Sequence, residues 1–185
     1  MSFSIVVFQG PSASGKSTLQ ARLGVPKIVT WTSRQPRAGE QDGVDYHFAT
    51  REQIELMFRQ GLMLEMSEYR NNLYGTSISS IEDAGKDGQV RSTVMDAPGA
   101  KLVKDKWGDR VLLIGVLADR EQLAKRLFDR KVSIAEQEQR LLSYDQEKSA
   151  LSACDLIIHN SEGQLRTAEK VIDFIREGIT HATRP

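Results

Sequence analysis

An α/β fold with a parallel central sheet is predicted by three observations in this 185-residue chain. Short apolar runs alternate with amphipathic stretches along most of its length, the pattern of a parallel sheet wrapped by helices. A polar run bracketed by glycines, Gly10 to Thr18, stands directly behind the first apolar run, so a strand passes into a tight loop and then a helix. Between Asp42 and Ser77 the pattern shifts to period two around one short helix, which predicts a small, mostly antiparallel insertion standing over the sheet.

Taken in order, core strands are expected over Phe3 to Gln9, Lys27 to Trp31, Val90 to Met95, Val111 to Leu117 and Leu156 to His159. The first helix carries Leu19, Ala21 and Leu23 behind the loop. In the insertion, alternating segments cover Val44 to Phe48, Leu62 to Tyr69 and Leu73 to Ser77. Their helix opens with Thr50-Arg51-Glu52-Gln53 and stops near Gly61. Asp119 with Gln122 and Ser161 with Gln164 each place an N-cap three residues before Gln, ahead of apolar stripes, and are read as capping boxes. The last stripe, Leu165, Ala168, Val171, Ile172, Ile175 and Ile179, is spaced to face the core.

Composition fits one compact unit able to bury a core, with 39% hydrophobic residues. Twenty-five basic side chains balance twenty-five acidic ones, so no overall field draws the chain to nucleic acid or an anionic membrane. A single cysteine, Cys154, excludes an intramolecular disulfide and fits a reducing compartment. The chain has no run of eighteen apolar residues and no basic-then-apolar leader, which points to a cytoplasmic protein.

The run Gly10-Pro11-Ser12-Ala13-Ser14-Gly15-Lys16-Ser17-Thr18 matches G-x-x-x-x-G-K-[ST] in full. A polyphosphate needs closely packed donors, and glycines let successive backbone N–H groups approach it. Gly10, Ser12, Ala13, Ser14, Gly15, Lys16, Ser17 and Thr18 therefore form a candidate nucleoside triphosphate site. Lys16 supplies a mobile cation and the Ser17 hydroxyl a ligand for Mg²⁺. Downstream, Arg34 and Arg37 flank Pro36 on a stiffened segment after a predicted strand, which suits a bidentate grip on a second phosphate, most simply that of a monophosphate.

These residues resemble the guanylate kinase family. The likeness is carried by the phosphate loop, by Thr32 to Glu40 with Gly43-Val44-Asp45-Tyr46-His47-Phe48, by Leu64-Glu65 and Leu73-Tyr74-Gly75-Thr76, and by Arg126-Leu127-Phe128-Asp129-Arg130, all in the family's order. The resemblance implies a P-loop three-layer fold with a monophosphate-binding insertion and a short lid, and Mg²⁺-dependent transfer of a phosphoryl group from ATP to GMP. It implies one domain, with a core over 1–32 and 78–185, an insertion over about 33–77 and a lid over about 131–138. Arg34, Arg37, Tyr46 and Tyr74 would hold the GMP phosphate, and Thr30, Glu65, Thr76 and Asp96 would face the guanine. Arg126, Arg130 and Arg140 would screen the transferring group, with Lys16, Arg34, Arg130 and Arg140 as the catalytic set. Asn160 matches a residue near the donor's adenine, although helix capping explains it equally well.

The guanine assignment has a physical basis beside the likeness. Guanine offers N1–H and an exocyclic amine as neighbouring donors, and one carboxylate accepts both, whereas adenine has no such pair. The chain departs from the family's pattern at Val94, where an acidic residue is usual, at Ala97-Pro98 and at Trp31. Asp96 is thus the only carboxylate at its strand end, free to serve Mg²⁺ through water or to read the base. Two other readings stand beside the kinase: a related kinase acting on another phosphorylated acceptor such as a ribose bisphosphate, and a non-catalytic binding module, which typically lacks the loop lysine present here. The expected partners are ATP and GMP, with neither nucleic acid nor membrane, in a monomer or homodimer.

Overall fold

Four β-branched or aromatic residues in a row, Ile5 to Phe8, leave no polar face, and the strand they form is fully buried on both sides. The computed structural model describes residues 3–69, 71–131 and 133–182. In chain order the elements are β1 (Ile5–Gln9), α1 (Lys16–Leu23), β2 (Trp31–Thr32), β3 (His47–Phe48), α2 (Arg51–Arg59), β4 (Met63–Tyr69), β5 (Asn72–Ser77), α3 (Ile78–Glu82), β6 (Arg91–Val94), α4 (Ala97–Trp107), β7 (Val111–Leu117), α5 (Arg120–Asp129), α6 (Ile134–Leu142), α7 (Tyr144–Ser149), β8 (Leu156–His159) and α8 (Leu165–Ala182).

The central sheet has the order β6-β1-β7-β8 and every pairing in it is parallel. Side chains of β1 alternate between its faces. Val6 and Phe8 pack with Leu19 and Leu23 of α1 and with Ala168, Ile172 and Ile179 of α8. Ile5 and Val7 pack on the opposite side with Ile81 of α3 and with Ala100 and Val103 of α4. Helix, sheet and helix therefore form three layers, as the sequence predicts. Of the final apolar stripe only Leu165 misses the core, being 44% exposed in the first turn of α8.

The second sheet is mixed, with the order β3-β2-β5-β4: β2 runs antiparallel to β5, β5 antiparallel to β4, and β2 parallel to β3. Its helix α2 begins where expected, at Thr50, with a capping box: the Gln53 N–H donates to Thr50 Oγ1 at 3.2 Å and the Thr50 N–H to Gln53 Oε1 at 2.8 Å. It ends at Gly61, whose φ of 70° is costly for residues with a Cβ.

Three expectations need correction. The segment Lys27 to Trp31 is not a core strand: Lys27 makes one isolated bridge to Ser92, and the chain then leaves the sheet. Trp31 draws it away, because its ring packs on the small core of Ile54, Met63 and Leu73 while its backbone pairs with Gly75 and His47. The segment Val44 to Phe48 joins the sheet only at His47–Phe48, with one isolated bridge from Tyr46 to Asp42, because the Asp45 carboxylate accepts the Gln41 N–H and the Asp42 carboxylate accepts the Phe48 N–H, closing a turn where a ladder was expected. The boxes at Asp119 and Ser161 do not form. Asp119 precedes α5 without a side-chain capping bond, and its own N–H donates to Ser161 Oγ at 3.0 Å.

Ile172 is fully buried and Phe174, two positions on, is 77% exposed. Ile172→Ala should cost about 3 kcal/mol and Phe174→Ala less than about 0.5 kcal/mol, read as shifts in urea midpoint at constant slope.

Candidate active site

The glycine loop leaves the carboxyl end of β1 and turns into α1 in one tight step. Gly10 has φ 137°, and a Cβ there would stand 2.2 Å from the Val116 carbonyl oxygen of β7, so only glycine lets the loop start flush against the sheet. Gly15 has φ 103°, and its Cβ would stand 2.2 Å from Asn160 Nδ2. Ala13 between them is left-handed at φ 64°, a conformation rare outside glycine and held here by its neighbours. Asn160 Nδ2 donates to the Ser14 carbonyl at 2.7 Å, while Arg126 donates to the carbonyls of Ala13 at 3.2 Å, Ser14 at 3.3 Å and Asn160 at 2.7 Å. Asn160 therefore braces the loop and does not cap α8, which begins at Leu165.

Lys16 opens α1 and folds back so that its Nζ donates to the Gly10 carbonyl at 2.6 Å and the Pro11 carbonyl at 2.9 Å. Burial lowers its pKa to about 8, the Glu147 carboxylate opposes that fall, and Arg140 and Arg130 add to it. Arg140 of α6 reaches over the loop, donating to Ser12 Oγ at 2.7 Å and to Glu136 Oε1 at 2.6 Å. Arg126, Arg130 and Asn160 line a cleft of about 290 Å³ with Ala13, Gly15 and Thr18, beside the outer face of the loop. Ser17 faces a third cleft, between the loop and the second sheet, together with Thr30 and Tyr46.

A cleft of about 200 Å³ lies between the two sheets, and Thr30, Tyr46, Glu65, Tyr74, Thr76 and Asp96 all line it. The β4–β5 register slips between Met63 and Glu65, a bulge that sends Leu64 to the main core and sets Glu65 opposite Thr76. Thr76 Oγ1 donates to Glu65 Oε1 at 2.7 Å. Burial raises the Glu65 pKa above the ordinary carboxylate range, the Thr76 hydroxyl opposes this, and the nearby Asp96 charge adds to it. Asp96 precedes α4 and caps it, accepting the Gly99 N–H on Oδ1 at 2.9 Å. Asp followed by Pro98 and Gly99 at a helix start carries that capping signal in the sequence, which the reading of Asp96 as ion ligand or base reader passed over.

Arg34 lies 5.5 Å from the centroid of the Tyr46 ring, and Tyr46 meets Tyr74 edge-on at 6.2 Å, so these three are brought together. The Arg34 guanidinium pairs with Glu40 Oε1 at 2.8 Å, while Glu40 Oε2 accepts the backbone N–H of Arg37. The Arg37 side chain is exposed at the edge of this group. The residues missed in the sequence are Gln9 and Glu147, which with Asp96 line a cavity of about 560 Å³ at the end of β1. Glu147 stands on α7, beyond the bend at Ser143 that ends the α6 of Arg140, so no single helical repeat in the sequence links the two.

Comparison with known proteins agrees with this geometry. A family profile described as guanylate kinase matches residues 2–177. The chain belongs to the guanylate kinase family. The guanylate kinase of Fusobacterium nucleatum is 35% identical over 180 residues, spanning 95% of this chain and 97% of that protein. That of Chlorobaculum tepidum is 36% identical over 180 residues, spanning 94% and 92%. The crystal structure of guanylate kinase from Anaplasma phagocytophilum superposes with a TM-score of 0.67 at 26% identity, over 98% of this chain and 86% of that one. Within this guanylate kinase family member, Asn160 is buried and its amide fixes the loop. Asn160→Ala should therefore lower stability by about 1–3 kcal/mol, since it strips a buried carbonyl of a partner; chemical denaturation measures it.

Proposed function

We propose that the protein transfers the γ-phosphoryl group of ATP to GMP by direct in-line displacement, giving ADP and GDP. The observation that carries this reading is the Glu65–Thr76 pair facing a polar cleft on the far side of the loop from the Arg126–Asn160 cleft, so that two ligands can meet over Lys16. Phosphoryl transfer asks the protein for alignment and charge compensation more than for covalent chemistry. Backbone amides of Ser12 to Thr18 with Lys16 would hold the donor's phosphates, and Arg126, Arg130 and Asn160 would flank its outer side. Arg34, Arg37, Tyr46 and Tyr74 would grip the acceptor's phosphate. Arg130 and Arg140 would then lie against the bridging oxygens and stabilise charge as it shifts from donor to acceptor.

Thr30, Glu65, Thr76 and Asp96 would read the base. Glu65 Oε1 already accepts from Thr76, and a carboxylate retains lone pairs for the N1–H and amine of guanine. A ribose bisphosphate offers no neighbouring N–H donors, which disfavours that acceptor, and the retained Lys16 disfavours a non-catalytic module.

Ser17 in the loop and Asp96 at the end of β6 line neighbouring clefts that share Thr30, Tyr46 and Val94, and their hard oxygen atoms would suit Mg²⁺, an ion that keeps most of its waters and binds phosphate oxygens. Bound there, Mg²⁺ would neutralise charge on the donor's phosphates. We read the chain as one domain, a core of 1–32 and 78–185 carrying a monophosphate-binding insertion over about 33–77 and a lid over about 131–138 that would exclude water on closing. Its proposed setting is the cytoplasm; among the described residues no helix is long and apolar enough to cross a membrane.

A coupled assay of ADP formation over a panel of monophosphates tests the reading. GMP should support Mg²⁺-dependent turnover at least about a hundredfold faster than AMP, CMP or ribose phosphates. Lys16→Ala should abolish it, and Arg34→Ala should lower kcat/KM by about a hundredfold or more. Equal rates with AMP and GMP would remove the base-reading role from Glu65. Because the Glu65 pKa is raised and only the ionised form accepts both guanine donors, KM for GMP should rise as pH falls, beginning above the ordinary glutamate range. A Glu65→Gln enzyme should show a higher KM without that pH dependence.

A further inference from the structure

We infer that the cavity of about 560 Å³ at the end of β1 is a regulatory site for a small organic cation with an apolar body, an arylamidine or an arylalkylamine, whose binding weakens binding in the acceptor cleft. The site stands on its own lining; the coupling rests on the reading of the Glu65 cleft as the GMP site.

The walls set the body of the ligand. Ala97 and Pro98 at the start of α4, Leu113 of β7, and Ala150 and Ala153 after α7 line the cavity, which is larger than the cleft proposed for either nucleotide. A volume of this size holds a whole small molecule. Among these apolar groups the lining side chains bring three oxygens without a donor. Gln9 is only 2% exposed. Its Nε2 donates to the Ala150 carbonyl at 3.1 Å and to Cys154 Sγ at 2.9 Å, and since a carbonyl only accepts, the orientation of the amide is fixed. Gln9 Oε1 takes no hydrogen bond from any of the described residues, an exception among buried acceptors that a ligand's N–H would resolve. Asp96 commits Oδ1 to the Gly99 N–H at 2.9 Å, and Glu147 commits Oε1 to the Ser143 hydroxyl at 2.6 Å. Neither carboxylate's second oxygen has a donor among the described residues.

The charges set the ligand's sign. Lys101 is the cation of the lining, and its ammonium is held by Asp105. Asp96 and Glu147 therefore border the cavity with no ion pair among the described residues, which repels a phosphate and separates this cavity from the two nucleotide clefts. The ligand that fits turns cationic N–H donors to the oxygens and a ring to the alanine, proline and leucine walls. Asp96 lines the acceptor cleft as well. A cation held at its second oxygen takes that carboxylate from the base of GMP, so each ligand weakens the other by the same factor.

Benzamidine is the probe, with benzoate as its anionic and benzyl alcohol as its neutral counterpart, each titrated into isotope-labelled protein without nucleotide or Mg²⁺ and followed by amide NMR shifts. Benzamidine should saturate with a Kd of about 1 mM or tighter, moving the side-chain amide of Gln9 and the backbone amides of Ala150 and Ala153. Benzyl alcohol should bind at least about fivefold more weakly, and benzoate not measurably. Glu147→Gln should weaken benzamidine by about fivefold. Ala97→Phe, which fills the cavity with a ring, should abolish binding, and either variant carries the test should the other fail to fold. Saturating benzamidine should raise the Kd for GMP by about threefold in calorimetric titration, and saturating GMP should raise that for benzamidine equally. Absence of saturable binding, shifts confined to other residues, equal affinity for benzoate, or an affinity that neither variant alters would overturn the site. Benzamidine binding that leaves the Kd for GMP unchanged would overturn the coupling. Failure of GMP to bind on its own would instead overturn the reading of the acceptor cleft and the coupling with it, while the benzamidine titrations still decide the site.

Discussion

The site depends on how the outside of the glycine loop is tied down. A trans peptide is planar, so its carbonyl and the following N–H point in opposite directions. Asn160 and Arg126 hold the Ser14 carbonyl from outside, which turns the Gly15 N–H away from them, toward the concave side of the loop. The brace comes from two elements distant in sequence, α5 and the residue after β8, both placed by the parallel sheet. Gly10 completes the constraint, since any side chain there would strike the Val116 carbonyl and lift the loop from the strand ends. The Gly15 amide is thus oriented by backbone geometry before any ligand arrives, while the Ser14 N–H is committed to the Pro11 carbonyl at 3.1 Å.

The second sheet solves a different problem, that of exposing a carboxylate to a ligand while keeping it out of bulk water. The bulge in β4 makes this possible, because an unbroken period of two would set Leu64 and Glu65 in other relations to the main core. Two glycines then clear the space. A Cβ at Gly75 would stand 2.9 Å from the Glu65 carbonyl, and one at Gly99 would stand 3.0 Å from Asp96 Oδ1 and 3.4 Å from Glu65 Cγ. The absence of side chains at these positions lets a strand and a helix start approach closely enough for two carboxylates to share one cleft, at the cost of their mutual repulsion.

Features fixed by local chemistry were legible in the sequence, and those fixed by competition for partners were not. The apolar run of β1, the core face of α8 beyond Leu165 and the opening of α2 at Thr50 depend on residues near one another in the chain, and each is found as read. Asp119 and Ser161 look like two helix caps, yet each fits the other better: the Ser161 hydroxyl accepts the Asp119 N–H across 42 positions, a pairing no local pattern announces. Trp31 likewise reads as the end of an apolar run, and only the small core of Ile54, Met63 and Leu73 explains why the strand joins the second sheet. Of the candidate site residues, Thr30, Tyr46, Glu65, Tyr74, Thr76 and Asp96 line one cleft; the capping role of Asp96 stands in its local sequence and was passed over, whereas the bracing roles of Asn160 and Arg126 emerge only from tertiary contacts.

The charges of the site differ in how far the protein itself satisfies them, and that difference divides labour between the parts of a ligand. Arg34 rests on Glu40, Arg140 on Glu136 and Lys16 on two loop carbonyls, so each of these three cations has a protein partner that a phosphate could displace. Phosphate gripping of this kind would exchange an existing contact for a charge-assisted one, and it would favour any ligand with a phosphate in the right place. Glu65 is in the opposite position. It has a hydroxyl donor and a neighbouring carboxylate but no ion pair with a cation among the described residues, and burial makes its charge costly. Only a ligand that brings donors of its own relieves that cost. On the proposed reading, attraction would come from the loop and the arginines, and discrimination from Glu65, whose charge a donor-bearing ligand would relieve.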